Sequence, residues 1–456
     1  MTITALIWAI VKIAVMVGFL INVAGILTWY DRRGGAMMQD RVGPNRAFVA
    51  IGKFRLRIAG LLHTAADGVK FFTKEDFMPP KADKFLFSLA PILAFMPVFA
   101  LVAVIPFGDA IDTNIILKNV AAPRFNEIHG AAASSRLIDL VVVPLNVGLL
   151  YVFALAGQGI VGAAIAGWAS DNKFSLMGAL RASSQMVSYE VTMGLTLVGA
   201  LMIYGTIRLD EMVRWQGENA WGIYTQPLAF FLFFAALIAE SKRIPFDLPE
   251  AESELVSGYF TEYSGMKFGM FYFAEYAEIV TSSMLLVTIF LGGWTLPFLH
   301  RDGLTVAIGD TVLIHQSIPH LGMILIGVLT FFGKTLVLCW VQAFVRWSLP
   351  RFRYDGLMKL GWQVLLPASL ANIFITAVVW IALDRGGESV ASGASRLRVL
   401  ADITQGITAF VLTALVIWAV VGFARKPRRA RTIVGSSAKY AAAAGGAKQL
   451  PIRAAT

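Results

Sequence analysis

The segment LIAESKRIPFDLPEAESELVSGYFTEYSG, residues 237–265, places Glu240, Asp247, Glu250, Glu252, Glu254 and Glu262 within twenty-odd positions of a strongly apolar chain. Glu240 directly follows Leu237, Ile238 and Ala239, so it continues an apolar run. A charged side chain at mid-bilayer costs roughly 2.5–3.5 kcal/mol on insertion scales. Carboxylates this dense, fed by a membrane helix, are the chemistry of proton or cation passage. Glu190, after Ser188 and Tyr189, is a further candidate, with an interfacial glutamate in water as the plainer reading. Glu275 and Glu278 stand three apart and share one helix face, with Tyr272 and Tyr276 beside them. Lys12 and Lys334 lie inside other apolar runs. Such groups either relay protons or pin helices together as ion pairs.

The elements that must position these groups are membrane helices. Charged residues make up 15 % of the 456-residue chain, against about a quarter in an ordinary soluble domain. Nine apolar spans are predicted, at 3–30, 85–107, 137–166, 187–204, 228–239, 268–296, 321–344, 361–383 and 399–423. The fold class is all-α, polytopic and transmembrane: eight core helices in 1–383, a ninth C-terminal helix in 384–424, and a basic tail in 425–456 expected to be mobile. Strand-sized alternation is absent. Pro144 is expected to kink the third span. Basic residues concentrate in one alternating set of loops, which puts the N-terminus outside and the tail in the cytoplasm. The first cytoplasmic loop contains the turn Gly43-Pro44-Asn45. An amphipathic interfacial helix is predicted over 54–72. The first span is too long for a signal-peptide core and is read as retained.

Composition also excludes functions. Cys339 is the single cysteine and the five histidines are scattered, so neither a disulfide framework nor a metal site is expected. The net charge of +10 reads as cytoplasmic loops, not as a nucleic-acid surface. GQGIVG at 157–162 has dinucleotide-fingerprint spacing but sits in a membrane span without a preceding strand. Close helix packing through small residues is the better reading.

Five motifs, in order, carry a resemblance: QDRVGPN, ADGVKFFTKED, GWASDNKFSLMGALRASSQMVSYE, ESKRIPFDLPEAESELVSGYFTEYSG and LPRFRYD. Over about 3–383 the chain resembles the H-subunit family of respiratory complex I, whose members hold the quinone channel in the membrane. The resemblance implies a component of a proton-translocating NADH:quinone oxidoreductase in the bacterial inner membrane, without a redox centre of its own. Quinone is then the substrate. FMN, iron–sulfur clusters and NADH belong to partner subunits, and the partners are the peripheral quinone-site subunits, the antiporter-like membrane subunits and the lipid bilayer. Matching positions imply a quinone tunnel and interface at Arg32, Gln39, Arg41, Asp67, Lys70, Arg181, Arg243, Asp247, Arg346 and Arg353. They imply a proton path through Glu190, Glu240, Glu250, Glu252, Glu254, Glu262 and Glu275.

The chain departs from the family at three places. Asp31-Arg32 stands where Glu-Arg is usual, AIGKFRLRIAG is inserted between Asn45 and Asp67, and His63-Thr64 replaces Gln-Pro. The ninth span and tail lie beyond the eight-helix core. Two other readings remain open: the equivalent subunit of a membrane-bound hydrogenase, and an independent cation/proton transporter. The absence of a visible internal repeat weighs against the latter.

Overall fold

A computed structural model describes residues 3–51, 54–56, 58–112, 137–250, 252–301, 303–308 and 311–384, all within one compact unit spanning 1–407. Seven helices among the described residues are long and apolar enough to cross a membrane, and an eighth apolar helix is shorter. The eight are α1 (Ile3–Met38), α3 (Lys84–Leu101), α4 (Gly148–Ala169), α5 (Lys173–Tyr204), α7 (Pro227–Glu240), α8 (Gly265–Phe290), α9 (His320–Ser348) and α11 (Leu366–Asp384). Between them lie α2 (Leu62–Thr73), α6 (Leu209–Glu218) and α10 (Tyr354–Lys359), which runs through a π-helical stretch, Leu360–Leu365, into α11. The all-α polytopic class therefore holds. The predicted ninth helix and basic tail lie outside the described residues.

Helix α8 is the axis of the bundle. In its apolar window 89 % of residues are buried inside the protein, against 22–50 % for the other spans. The other helices turn apolar side chains outward, for example Ile7 and Ile10 of α1 or Phe374 and Val378 of α11. A face of that kind is stable against lipid, not water.

Several boundaries differ from the sequence expectation for identifiable reasons. The third span does not begin at Leu137. Leu137–Ile138 form β4, paired antiparallel with β3 (Ile111–Asp112), and α4 starts only at Gly148. Pro144 thus sits in the connection before the helix and kinks nothing. The fourth span starts fourteen residues early, at Lys173, where the Asn172 side chain caps it by accepting from Phe174 N. Its serines bond back into the helix, Ser183 Oγ to Ala179 O at 2.9 Å and Ser188 Oγ to Ser184 O at 2.7 Å, so they need no water. In the first loop a short hairpin, β1 (Val49–Ile51) with β2 (Phe54–Leu56), precedes α2, so the interfacial helix is shorter than 54–72. A three-stranded antiparallel sheet, β5 (Leu299–His300), β6 (Gly303–Ile308) and β7 (Thr311–Ser317), joins α8 to α9.

The small residues of α4 do pack closely. A Cβ on Gly162 would stand 2.8 Å from Ala94 N and 3.1 Å from the Leu93 carbonyl carbon. Only a glycine lets α3 and α4 touch backbone to backbone there. Gly162→Leu is expected to separate them and to lower the melting temperature of the solubilised protein, at a cost of about 1–3 kcal/mol or more. An unchanged melting curve would contradict this packing.

Candidate functional site

Helices α1, α8 and α9 converge on one carboxylate. Asp31 of α1 accepts from Arg346 of α9, from the Tyr276 hydroxyl of α8 at 2.8 Å and from the Trp347 indole at 3.2 Å. Gly34 makes this possible, because any Cβ there would overlap the Trp347 ring. Arg243, from the segment after α7, completes the hub. Its guanidinium lies 3.9 Å from Asp31, 3.5 Å from Glu275 and 4.0 Å from the centre of the Tyr276 ring. The Arg243 and Glu275 side chains are only 11 % and 5 % exposed. Their contact is within ion-pair reach but not aligned as a hydrogen bond, and Glu275 Oε1 has no hydrogen-bond partner among the described residues. Burial opposes the charge of Arg243, but Tyr276, Glu275, Asp31 and Glu250 together hold it firmly protonated.

Two cavities meet at Glu275. The outer one, about 410 Å³, is lined by Asp31, Arg32, Arg243, Glu250, Glu275 and Arg346, and by the rings of Phe260, Phe268, Tyr272, Tyr276 and Trp347. Its volume falls within the roughly 300–1,000 Å³ of small-molecule sites. The inner one lies among α3, α4, α7 and α8 and is lined by Glu240, Lys242, Glu275 and Glu278 amid apolar side chains. It leaves about 60 Å³ for water centres, room for about four waters at roughly 15 Å³ each. Glu240 makes no hydrogen bond or ion pair among the described residues, and it lies within electrostatic reach of Glu278 and Glu190. Glu190 is the eighteenth residue of α5 and faces Gly157 of α4, where an added Cβ would approach Glu190 Oε1 to 3.4 Å. The glycine thus leaves space for the carboxylate.

The segment 241–264 holds these cavities together. Lys242 adopts a left-handed backbone, φ 54°, a conformation that costs a non-glycine residue about 1–2 kcal/mol. The turn sends its ammonium back to Glu278 at 3.4 Å. Burial works against that charge, but Glu278, Glu275 and Glu240 outweigh it and raise Lys242 above its ordinary pKa. Asp247 accepts from Arg351 at 2.8 Å. Burial, then Glu250, push its carboxyl up to about 7 against the opposing pull of Arg351 and Arg243.

The structure brings Arg32, Arg243, Arg346, Glu250 and Glu275 to the outer cavity and Glu240 to the inner one. Arg32 also pairs with Asp67 of α2. Asp247, paired with Arg351, lies within electrostatic reach of Glu250 and Arg243. Arg181 pairs with Glu254 at 2.6 Å, and Glu262 accepts from Asn172 at 2.6 Å, both away from the cavities. Gln39 and Arg41 bond to each other at the exposed end of α1, Lys70 is exposed on α2, and Arg353 reaches Asp355 on the surface. The Glu252 side chain lies outside the described residues. Tyr276 and Glu278, singled out beside Glu275 from sequence, join the site, and Asp31, Lys242 and Arg351 complete it without having been assigned to it from sequence. Asp31 and Arg346 are 315 positions apart, and no local pattern links them.

A bundle of apolar helices around a buried carboxylate–guanidinium hub, with an aromatic-lined cavity beside it, defines a polytopic membrane protein built for charge handling. Comparison with known proteins gives the family. The NADH dehydrogenase family profile matches residues 10–377. The chain is 44 % identical over 349 residues to an NADH-quinone oxidoreductase H subunit of Cytophaga hutchinsonii, covering 76 % of this chain and 90 % of the relative. It is 40 % identical over 370 residues to an H subunit of the same enzyme from Geobacter metallireducens, covering 81 % and 94 %. It is 41 % identical over 351 residues to the H subunit from Flavobacterium psychrophilum, covering 77 % and 90 %. The chain belongs to the NADH dehydrogenase family.

Proposed function

We propose that this chain is the H subunit of a proton-translocating NADH:quinone oxidoreductase, lining the quinone chamber and carrying protons whose movement is driven by quinone reduction. The single observation that supports this best is Glu275, which borders both the aromatic-lined outer cavity and the carboxylate-lined inner one. Apolar and aromatic walls suit an isoprenoid quinone. Arg243 and Arg346 suit the negative charge that arises as the head group gains electrons. A charge change there alters the field at Glu275 and, through Lys242, at Glu278. Protons then pass by way of inner-cavity water to Glu240 and on towards Glu190. Electrons arrive from NADH through FMN and iron–sulfur clusters on partner subunits, and antiporter-like membrane partners receive the coupling. In this reading the hub faces the cytoplasm of a bacterial inner membrane, with the N-terminus outside.

Purification of the tagged chain in mild detergent tests the assignment. NADH:quinone reductase activity and iron–sulfur subunits are expected to co-purify. Hydrogenase activity in the same sample, or transport by the chain alone, would contradict it.

Asp247 gives a pH prediction. Its pKa in the fold, about 7, lies above the 3.8 of an unperturbed aspartate. The stabilisation from its proton is therefore complete below about pH 4 and is lost as pH rises through 7. Amide exchange in 242–264, corrected for intrinsic base catalysis, is expected to quicken between about pH 4 and 7 and to level off above that. Asp247→Asn is expected to flatten that rise, and an equal rise in the variant would contradict the assignment.

A further inference from the structure

Lys334 is the fifteenth residue of the membrane helix α9 and lines neither cavity, and its surroundings are unusual for a buried cation. Its Nζ donates to three backbone carbonyls, Leu291 at 2.6 Å, Gly293 at 3.2 Å and Thr295 at 2.6 Å. The Trp221 ring closes the fourth side at 4.2 Å from its centre. Three acceptors converging on one nitrogen match the three donors of an ammonium, whereas a neutral amine has only two. No carboxylate pairs with it among the described residues.

The cage is built by the outer end of α8. A helix leaves its last carbonyls without partners, a serious cost in a membrane. Here side chains from three other elements take them: Gln216 Nε2 donates to Thr288 O at 2.9 Å, the Tyr204 hydroxyl to Ile289 O at 2.7 Å, and Lys334 to Leu291 O. Gly292 and Gly293 then turn the chain with φ of 69° and 51°, and a Cβ on Gly292 would meet Trp221 Nε1 at 2.5 Å. Only this glycine pair lets the turn aim its carbonyls inward while packing on the indole. The negative end of the α8 dipole adds to the attraction for a cation.

We propose that the carbonyls of Leu291, Gly293 and Thr295, with the Trp221 ring, form a primary-ammonium site filled by Lys334, and that its occupancy fixes α8 along its axis. Lys334 is thereby a positioning residue for Glu275 and Glu278, which sit on the same helix about 18–24 Å away at 1.5 Å per residue. Their contacts with Arg243 and Lys242, at 3.5 and 3.4 Å, leave about half an ångström within ion-pair reach, so a slip of α8 by about an ångström breaks them. The ammonium site stands by itself, and the positioning role rests on the proposed proton path.

Lys334→Ala deletes a group whose missing atoms equal propylammonium. In the assembled complex, quinone reductase turnover is expected to fall about tenfold or more, with KM for quinone within about twofold of the parent. Propylammonium is expected to restore both turnover and melting temperature saturably, while tetramethylammonium at equal ionic strength does neither. Lys334→Arg is expected to remain impaired, because a planar guanidinium cannot converge on three carbonyls. If Lys334→Ala does not assemble, Lys334→Met, of similar length without charge, replaces it, and reduced turnover or melting temperature in that assembled variant supports the proposal. Parental turnover in the Ala, Met or Arg variant overturns it, as does assembly of the Arg variant alone. A melting temperature of Lys334→Ala that ignores propylammonium overturns the ammonium site. A rescued melting temperature without rescued turnover keeps the site and removes its positioning role. A parent complex without quinone reductase activity would refute the proposed function and leave the melting arm intact.

Discussion

Arg243→Met is expected to reduce quinone reduction by about two to four orders of magnitude while the chain still inserts into the membrane. Arg243 is the shared cation of Asp31 and Glu275, at 3.9 and 3.5 Å, and its guanidinium covers the Tyr276 ring. Arg346 remains for Asp31, but Glu275 loses its only ion pair among the described residues. Leaving a buried charge uncompensated costs about 3–5 kcal/mol, which corresponds to about 10²–10⁴ in rate if the loss falls on the reacting state. Arg243→Lys is expected to recover only part of the activity, because an ammonium cannot span Asp31 and Glu275 and also cover the ring. Reductase rates on membranes, normalised to assembled complex on native gels, check both variants. Activity of Arg243→Met within about threefold of the parent would remove the hub from the mechanism.

Glu240→Gln has a different expected signature. Glu240 makes no ion pair or hydrogen bond among the described residues, so the amide should leave assembly intact. A glutamine cannot accept and release a proton. Proton translocation per NADH oxidised, followed by a pH-sensitive dye in proteoliposomes, is therefore expected to collapse to a small fraction of the parent value. Full pumping by this variant would sink the role of the inner cavity. Asp31→Asn separates the hub from the relay: it weakens the Arg346 and Arg243 contacts and should slow quinone reduction without changing the protons moved per electron.

The sequence shows the helices and the acidic segment more clearly than the site they form. Long apolar runs announce α1, α3, α8 and α9, because a bilayer admits little else. Glu240 was legible because Leu237, Ile238 and Ala239 precede it. The start of α5 was not, since Ser183, Ser184, Gln185 and Ser188 look like loop residues until their bonds to helix carbonyls and to Ala239 O and Phe246 O are seen. Glu190 therefore read as lying near the start of its helix, although it lies mid-helix. The apolar run at 137–147 looked like helix, yet its backbone pairs with β3 or turns towards Gly148. Lys242 read as one more topological cation, because nothing local predicts a left-handed turn that sends it to Glu278. Asp31 became a hub only through residues more than two hundred positions away.

Photolabelling tests the central claim most directly. An azido-quinone whose reactive group is on the ring would be bound to the assembled complex, irradiated and mapped by mass spectrometry. Label is expected on this chain within 243–276, at the segment and helix turn that carry Arg243, Phe260, Phe268 and Tyr272, and it should be lost when excess unlabelled quinone is present. Competable label confined to other subunits, with none on this chain, would contradict the assignment of the outer cavity as the quinone chamber.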